Sequence, residues 1–276
     1  MNTPPTLAII GAGKLARTLA RLWHAADAVL VQDVLNRSQD SAQAAIDFIG
    51  AGTAIAEWSQ LRRADIVLIA TPDDRIAAMC ERLAATTPLA GSIVFHCSGA
   101  LSSSLLQSAQ EQGAAIASVH PVRSFAQPEE VAQGFAGTWC GVEGDGPALA
   151  VLRKLFAAIG ANFIEIDPRQ KTLYHAAAVF ASNYLVTLLD VALQTYGKAG
   201  IPPETARKMM ASLVRETVDN VLEIGPEQAL TGPIARGDAA TVVRQYRALE
   251  AADGEHAALY RRLGKLSWRL ARRRRS

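Results

Sequence analysis

The sequence predicts an α/β protein, with a doubly wound parallel sheet over residues 1–167 followed by an all-helical domain over 168–276. Three observations predict it. The chain opens on an apolar run, Leu7-Ala8-Ile9-Ile10, which breaks at Gly11-Ala12-Gly13 and passes into a helical pattern carrying Leu15, Leu19 and Leu22. Strand-length apolar runs then alternate with helical stretches as far as Asp167. Beyond Asp167-Pro168 the strand signals cease and helix follows helix.

The opening strand, turn and helix form a dinucleotide-binding pattern. Gly11 permits the sharp turn, Gly13 lets a phosphate approach the backbone, and Ala16 lets helix and strand pack closely. The amides of Ala12, Gly13, Lys14 and Leu15 would then face an anion at a helix start. A glycine turn before an ordinary helix is the bland alternative, and the position between a strand and a helix argues against it.

Half of the residues are apolar, so a core is easily buried, and the formal charge of +2 rests on Arg272 to Arg275. A nearly neutral body argues against nucleic acid as a partner. The three cysteines, Cys80, Cys97 and Cys140, have neither metal spacing nor a disulfide framework, which points to a reducing compartment. The N-terminus lacks the regions of a signal peptide. The most apolar stretch, Tyr174 to Leu193, carries His175, Asn183 and Asp190 and reads as a buried helix, not a membrane span. A cytoplasmic protein is expected.

After the first helix, Gln32 to Asn36 reads as the second strand, with Asn36-Arg37-Ser38 at its end. An acid at this place bonds the ribose 2′-hydroxyl of NAD, whereas an arginine accommodates the 2′-phosphate of NADP. Arg37, flanked by Asn36 and Ser38, argues for NADP, and the competing reading makes Asp33 the ribose-binding acid. A helix is expected from Ser38 to Ile49. Ile66 to Ala70 is a central strand ending at Thr71-Pro72-Asp73, where open α/β sheets bind ligands. Asp73 is expected to cap a helix from Arg75 to Leu83. Ser92 to His96 is a strand ending near Ser98-Gly99, Ser102 to Gln110 a helix, and Ala115 to Val119 a strand ending at His120. A loop and short helix, Val122 to Phe135, precede strands at Thr138 to Val142 and Asn162 to Ile166, with a helix between them from Pro147 to Ile159. Helices follow at Lys171 to Gly197, Pro203 to Leu222, Ala239 to Ala251 and Glu255 to the end.

Lys171 and His175 are four apart and share a helix face, with Ser182 near the same face and Asn183 turned away from it. A reductase needs a donor to polarise the acceptor and a proton source, and Lys171 and His175 are candidates for both. The bland alternatives are a solvated Lys171 and a satisfied buried His175. Between the later helices, Thr231 to Asp238 lines either a cleft or dimer seam, or forms a simple turn in which Asp238 caps the next helix. Arg269 to Arg275 reads as a frayed basic helix end.

With those residues in view, the chain resembles Rossmann-like proteins carrying the DUF2520 domain, distant relatives of pyrroline-5-carboxylate reductase and the F420-dependent NADP oxidoreductases. The resemblance rests on GAGKLA at 11–16, LNRS at 35–38, ATPDD at 70–74, HCSGA at 96–100, HPVRSF at 120–125, YHAAAVFASN at 174–183 and LTGPIARGD at 230–238. It implies NADP binding and a helical domain that forms a homodimer. It also implies that Thr231 to Asp238 approaches a partner's cofactor. Related 3-hydroxyisobutyrate dehydrogenases carry a lysine followed four residues later by asparagine, where this chain has Lys171 and His175.

The expected function is an NADP(H)-dependent oxidoreductase acting on a small carbonyl or imine compound, with hydride transfer at the interdomain cleft. Gly11, Ala12, Gly13, Lys14, Leu15, Asn36, Arg37, Ser38, Ala70, Thr71, Pro72, Asp73, Ser98 and Gly99 are the expected cofactor residues, and Lys171, His175, His120 and Asn183 the catalytic ones. No metal or membrane is expected. The alternative is an NADP(H)-binding sensor without turnover.

Overall fold

A computed structural model describes residues 3–274. In it β1 (Thr6–Ile10) runs through the glycine turn into α1 (Lys14–Ala25). There follow β2 (Leu30–Leu35), α2 (Gln39–Ile49), β3 (Thr53–Ile55), β4 (Ile66–Ile69), α3 (Ile76–Thr86), β5 (Ile93–His96), α4 (Gln107–Glu111), β6 (Ala115–Pro121), α5 (Pro128–Gln133), β7 (Trp139–Gly144), α6 (Gly146–Ala157) and β8 (Asn162–Glu165). The eight strands form one sheet in the order β3-β2-β1-β4-β5-β6-β7-β8. All pairs are parallel except β6 with β7, which is antiparallel and sets His120 opposite Gly141. Chain order reverses between β1 and β4, so the turn after β1 and the loop after β4 meet at the switch point where ligands bind in such sheets.

The strands form because their apolar runs are covered on both faces. One face packs Trp23, Phe95 and Phe156 edge to face, with Trp23 and Phe156 centroids 5.0 Å apart. The other packs Leu35, Ile69, Leu83, Leu89 and Leu106. Rings set edge to face gain from their quadrupoles as well as from burial.

Several local expectations change. β3 is too short for its Thr53-Ala54-Ile55 to stand out from the surrounding loop. Ser102 to Gln110 is a 3₁₀ turn and the short α4. Asp73 does not cap α3, because a 3₁₀ turn over Asp73–Arg75 intervenes, and its carboxylate accepts from Ser98 Oγ at 2.7 Å instead.

The long helix expected from Lys171 is two, α7 (Lys171–Ala181) and α8 (Asn183–Lys198), broken at Ser182, whose φ −121°, ψ −72° leaves the helical range. Ser and Asn bond nearby backbone and weaken helix interiors, which explains the place of the break. The chain divides into two compact units after Phe180, beyond the end of the strands, because α7 docks on the sheet.

The second unit contains α8, then α9 (Pro203–Ile224), α10 (Pro226–Ala229), α11 (Gly232–Arg236), α12 (Ala239–Ala252) and α13 (Gly254–Arg273). Asp238 caps α12 through Thr241 N at 3.0 Å, and Lys198 reaches Asp253 at 2.6 Å. The basic end is regular helix to Arg273, with Arg272 stacked on Trp268, and Arg275 lies outside the described residues. The expected burial of Tyr174 to Leu193 fails. Pro168–Lys198 passes the length and composition test for a membrane span, and none of that window is buried in the single chain. Phe180, Tyr184 and Val186 are exposed.

Candidate active site

The glycine turn is built as its sequence requires. Gly11 has φ +83°, and a Cβ there would meet Thr71 Cγ2 at 2.8 Å. A Cβ on Gly13 would meet nothing within 4 Å, so the space above the start of α1 is open. Ala16 is fully buried beneath it. Ala70 donates from its backbone to Ile10 O at 2.8 Å, which brings Ala70, Thr71 and Pro72 beside the turn. Thr71 Oγ1 is buried with no hydrogen-bond partner among the described residues. Lys14 Nζ donates to Ala126 O at 2.7 Å, and Leu15 is half-buried.

Asn36 is a buttress. Its Oδ1 accepts from Ala12 N at 2.8 Å and its Nδ2 donates to Ser41 O. Ser38 caps α2 through Ser41 N, and Arg37 is exposed beside it. Asp33 is buried, and its carboxylate is taken by Arg62 Nη2 at 2.5 Å and Arg62 N at 2.9 Å.

At the carboxyl edge of β5 and β6 a buried polar cluster joins the sheet to α7. Lys171 Nζ donates to Ser118 Oγ and to Glu143 Oε1, the latter at 3.0 Å. Glu143 also accepts from Ser103 N and Ser103 Oγ, both at 2.8 Å. Burial pushes the Lys171 ammonium down, and Glu143 opposes the shift. His96 Nδ1 accepts from Ser98 N, and Nε2 donates to Ser102 O at 3.1 Å. Burial, then Lys171, lowers its pKa to about 4, so it is neutral and structural. Ser98 Oγ also receives Ala100 N and Leu101 N, which shapes the loop holding Gly99.

Above this cluster lie His120, Tyr174 and His175. His120 Nδ1 and Tyr174 Oη are 3.0 Å apart, and the rings of His120 and His175 are 5.5 Å apart at 76°. Both imidazoles converge on Gly99, where a Cβ would collide with His175 Nδ1 and lie 2.8 Å from His120 Nε2. His175 Nδ1 is buried with no hydrogen-bond partner among the described residues. Burial, then His175, lowers the His120 pKa to about 4.

Of the four expected catalytic residues, three gather here and one does not. His120 and His175 meet at Gly99. Lys171 lies in the cluster beneath with its amine engaged, so it is neither solvated nor free. Asn183 opens α8, exposed, in the second unit. Sequence reasoning passed over Glu143, Ser118 and Tyr174. Their signals were present: an acid inside the apolar strand WCGVEG, a serine between Ala117 and Val119, and a tyrosine adjoining His175.

Residues 3–121 match the model of a Rossmann-like domain, and residues 138–266 that of a domain of unknown function, DUF2520. The chain joins a Rossmann-like domain to a DUF2520 domain. The DUF2520 segment begins inside the sheet, and it supplies Glu143, Lys171, Tyr174 and His175, while the Rossmann-like segment supplies Gly99, Ser118 and His120. No curated protein sequence matches the chain.

Among solved structures, a protein of Thermotoga maritima is 29% identical over 98% of this chain and 100% of its own, with a TM-score of 0.77. A candidate NADP oxidoreductase of Bacteroides fragilis is 22% identical over 97% and 99%, with a TM-score of 0.79. The pyrroline carboxylate reductase of Plasmodium falciparum, solved with NADP bound, is 14% identical over 98% and 100%, with a TM-score of 0.61. At these identities the last two share the fold with the Rossmann-like and DUF2520 pair.

Proposed function

We propose that this protein is an NADP(H)-dependent oxidoreductase acting on a small carbonyl or imine compound. The observation that carries the cofactor choice is the engagement of Asp33 by Arg62, which leaves the exposed Arg37 as the cation at the end of β2, beside Ser38, whose hydroxyl caps α2. Arginine beside a helix start suits a 2′-phosphate and gives a ribose hydroxyl no acceptor. The open space over Gly13 and the unpartnered Thr71 Oγ1 fit a dinucleotide. Gly11 to Leu15 would receive the pyrophosphate on backbone amides, with Ala70 to Asp73, Ser98 and Gly99 along the path beyond it. The NADP in the Plasmodium reductase supports the same reading.

NADPH, when bound, supplies the hydride. The chain must supply a donor to the acceptor heteroatom and one proton. His120 is the donor, and His175, whose Nδ1 has no partner among the described residues, is placed to pass the proton to the reduced heteroatom. Lys171 seats α7 beneath them.

Titration of the purified protein with NADPH and NADH, followed by nicotinamide fluorescence, tests the cofactor. Selective NADPH binding, then its oxidation by members of a carbonyl and imine panel, supports the reading. Binding without turnover by any of them leaves a sensor, and binding of neither nucleotide overturns both.

A second copy of the chain is the proposed partner of the helical unit. Among its described residues only Ala206, Met210, Ala257 and Ala271 are buried apolar side chains. That core is too small for a stable bundle of its own. An apolar groove of about 650 Å³ lined by Leu188, Val191, Leu249, Leu259 and Leu263 remains open for a partner helix.

A further inference from the structure

We infer that Tyr174 is a positioning residue, holding His120 in the tautomer with hydrogen on Nε2 so that an N–H donor faces the substrate acceptor beside Gly99. The donor role rests on the reductase reading above, whereas the tautomer does not.

Burial pushes the Tyr174 pKa up to about 12, so its hydroxyl keeps its hydrogen at neutral pH. A half-buried O–H must find an acceptor. The Gly141 amide approaches the phenol oxygen as a donor, which leaves the hydroxyl hydrogen for His120 Nδ1, 3.0 Å from Tyr174 Oη. His120 is neutral at that pH, so it carries a single ring hydrogen. With Nδ1 accepting from the phenol, that hydrogen sits on Nε2. Nε2 is the nitrogen on the Gly99 side of the ring, 2.8 Å from where a Cβ on Gly99 would stand. A neutral imidazole N–H is a competent electrophile for a carbonyl or imine, because it polarises the acceptor without carrying charge.

The chain is built to hold this geometry. The two rings stand perpendicular, with centroids 5.6 Å apart. Gly141, opposite His120 in the β6–β7 ladder, gives the phenol room, since a Cβ there would lie 2.6 Å from Tyr174 Oη. Lys171, three residues before Tyr174 on α7, is anchored to Glu143, and Thr172 Oγ1 donates to Ala100 O at 3.3 Å. These bonds fix the rotation of α7 that aims Tyr174 at His120.

The test reads the tautomer directly, without substrate. The full chain labelled with ¹⁵N-histidine has five histidines, and His120→Gln identifies the His120 signals. Two-bond ¹H–¹⁵N correlation spectra at neutral pH should show His120 as one neutral tautomer with hydrogen on Nε2. Tyr174→Phe keeps the ring and removes the hydroxyl. It should lose the single-tautomer pattern at His120 and leave the other four histidines unchanged. Hydrogen on Nδ1 in the unaltered protein, or an unchanged His120 pattern in Tyr174→Phe, overturns the inference. Failure to bind NADPH would overturn the reductase reading and leave the tautomer result standing. With a substrate from the panel, Tyr174→Phe should lower kcat about tenfold or more while the NADPH Kd stays the same.

Discussion

Lys171 and Glu143 form an ion pair sealed inside the sheet unit, with Nζ and Oε1 3.0 Å apart and side chains only 2% and 4% exposed. A pair this dry adds little net stability, but removing one partner strands a charge, at a cost of about 3–5 kcal/mol. Lys171→Met is therefore expected to lower the melting temperature sharply, and Glu143→Gln to do so less severely, because the amide still accepts from Lys171 and Ser103. The double variant Lys171→Met, Glu143→Gln, which leaves no buried charge, should lose less than the two single variants added together. Thermal unfolding of the four proteins checks this. A double variant as unstable as the sum of the singles would show that the charges do not compensate one another.

The same logic separates Asp33 from Arg37. Asp33→Ala removes the partner of Arg62 and of its backbone amide, and should destabilise the fold by about 1–3 kcal/mol while leaving nucleotide preference alone. Arg37→Ala removes an exposed cation, so the fold should be unaffected. NADPH binding should weaken by about tenfold or more, with NADH unchanged. Fluorescence titration of both nucleotides against both variants reads the contrast. Equal loss of NADPH and NADH in Arg37→Ala would remove the 2′-phosphate assignment.

These residues also show what the sequence makes legible. The turn at Gly11 and Gly13 and the sheet beyond it could be read because local backbone demands and apolar runs are periodic along the chain. The choice between Asp33 and Arg37 can be posed but not resolved from the sequence, since Arg62, whose guanidinium bonds the Asp33 carboxylate, lies 29 residues away. The buried partners of Lys171 are hidden from the sequence for the same reason. Its spacing to His175 puts both on one helix face, yet only the sheet order brings Glu143 and Ser118 beneath it. The antiparallel β7, which delivers Glu143, leaves no mark in an apolar run. Exposure of α7 and α8 was illegible because an apolar helix reads alike whether its cover comes from its own chain or another.

That exposed face gives a third expectation. Leu213 is 58% and Leu222 80% exposed on α9, and Val186 67% on α8. A dimer covering them should be visible by sedimentation at micromolar concentration. Leu222→Asp and Val186→Asp together should shift it toward monomer and lower the melting temperature, since stability and association are then linked. A wild-type protein that sediments as a monomer would remove the second copy as the partner.

The last expectation concerns acid. His96 is fully buried and its pKa falls from 6.5 to about 4, with Lys171 on one side and Glu143 and Asp73 opposing. The unfolded chain therefore binds the proton first. Stability from this site is complete above pH 6.5 and drains away as the pH falls toward 4, on the order of 3 kcal/mol in all. His120 has the same sign and the same window. The carboxylates act lower down: Asp253, held to about 2 chiefly by Lys198, loses its contribution only as the pH drops below its ordinary 3.8. Urea midpoints measured from pH 7 to pH 4.5 should thus fall before Asp253 titrates. His96→Gln should flatten the decline, because the amide cannot take up a proton in the unfolded chain. A decline of equal steepness in His96→Gln would assign the acid sensitivity to other groups.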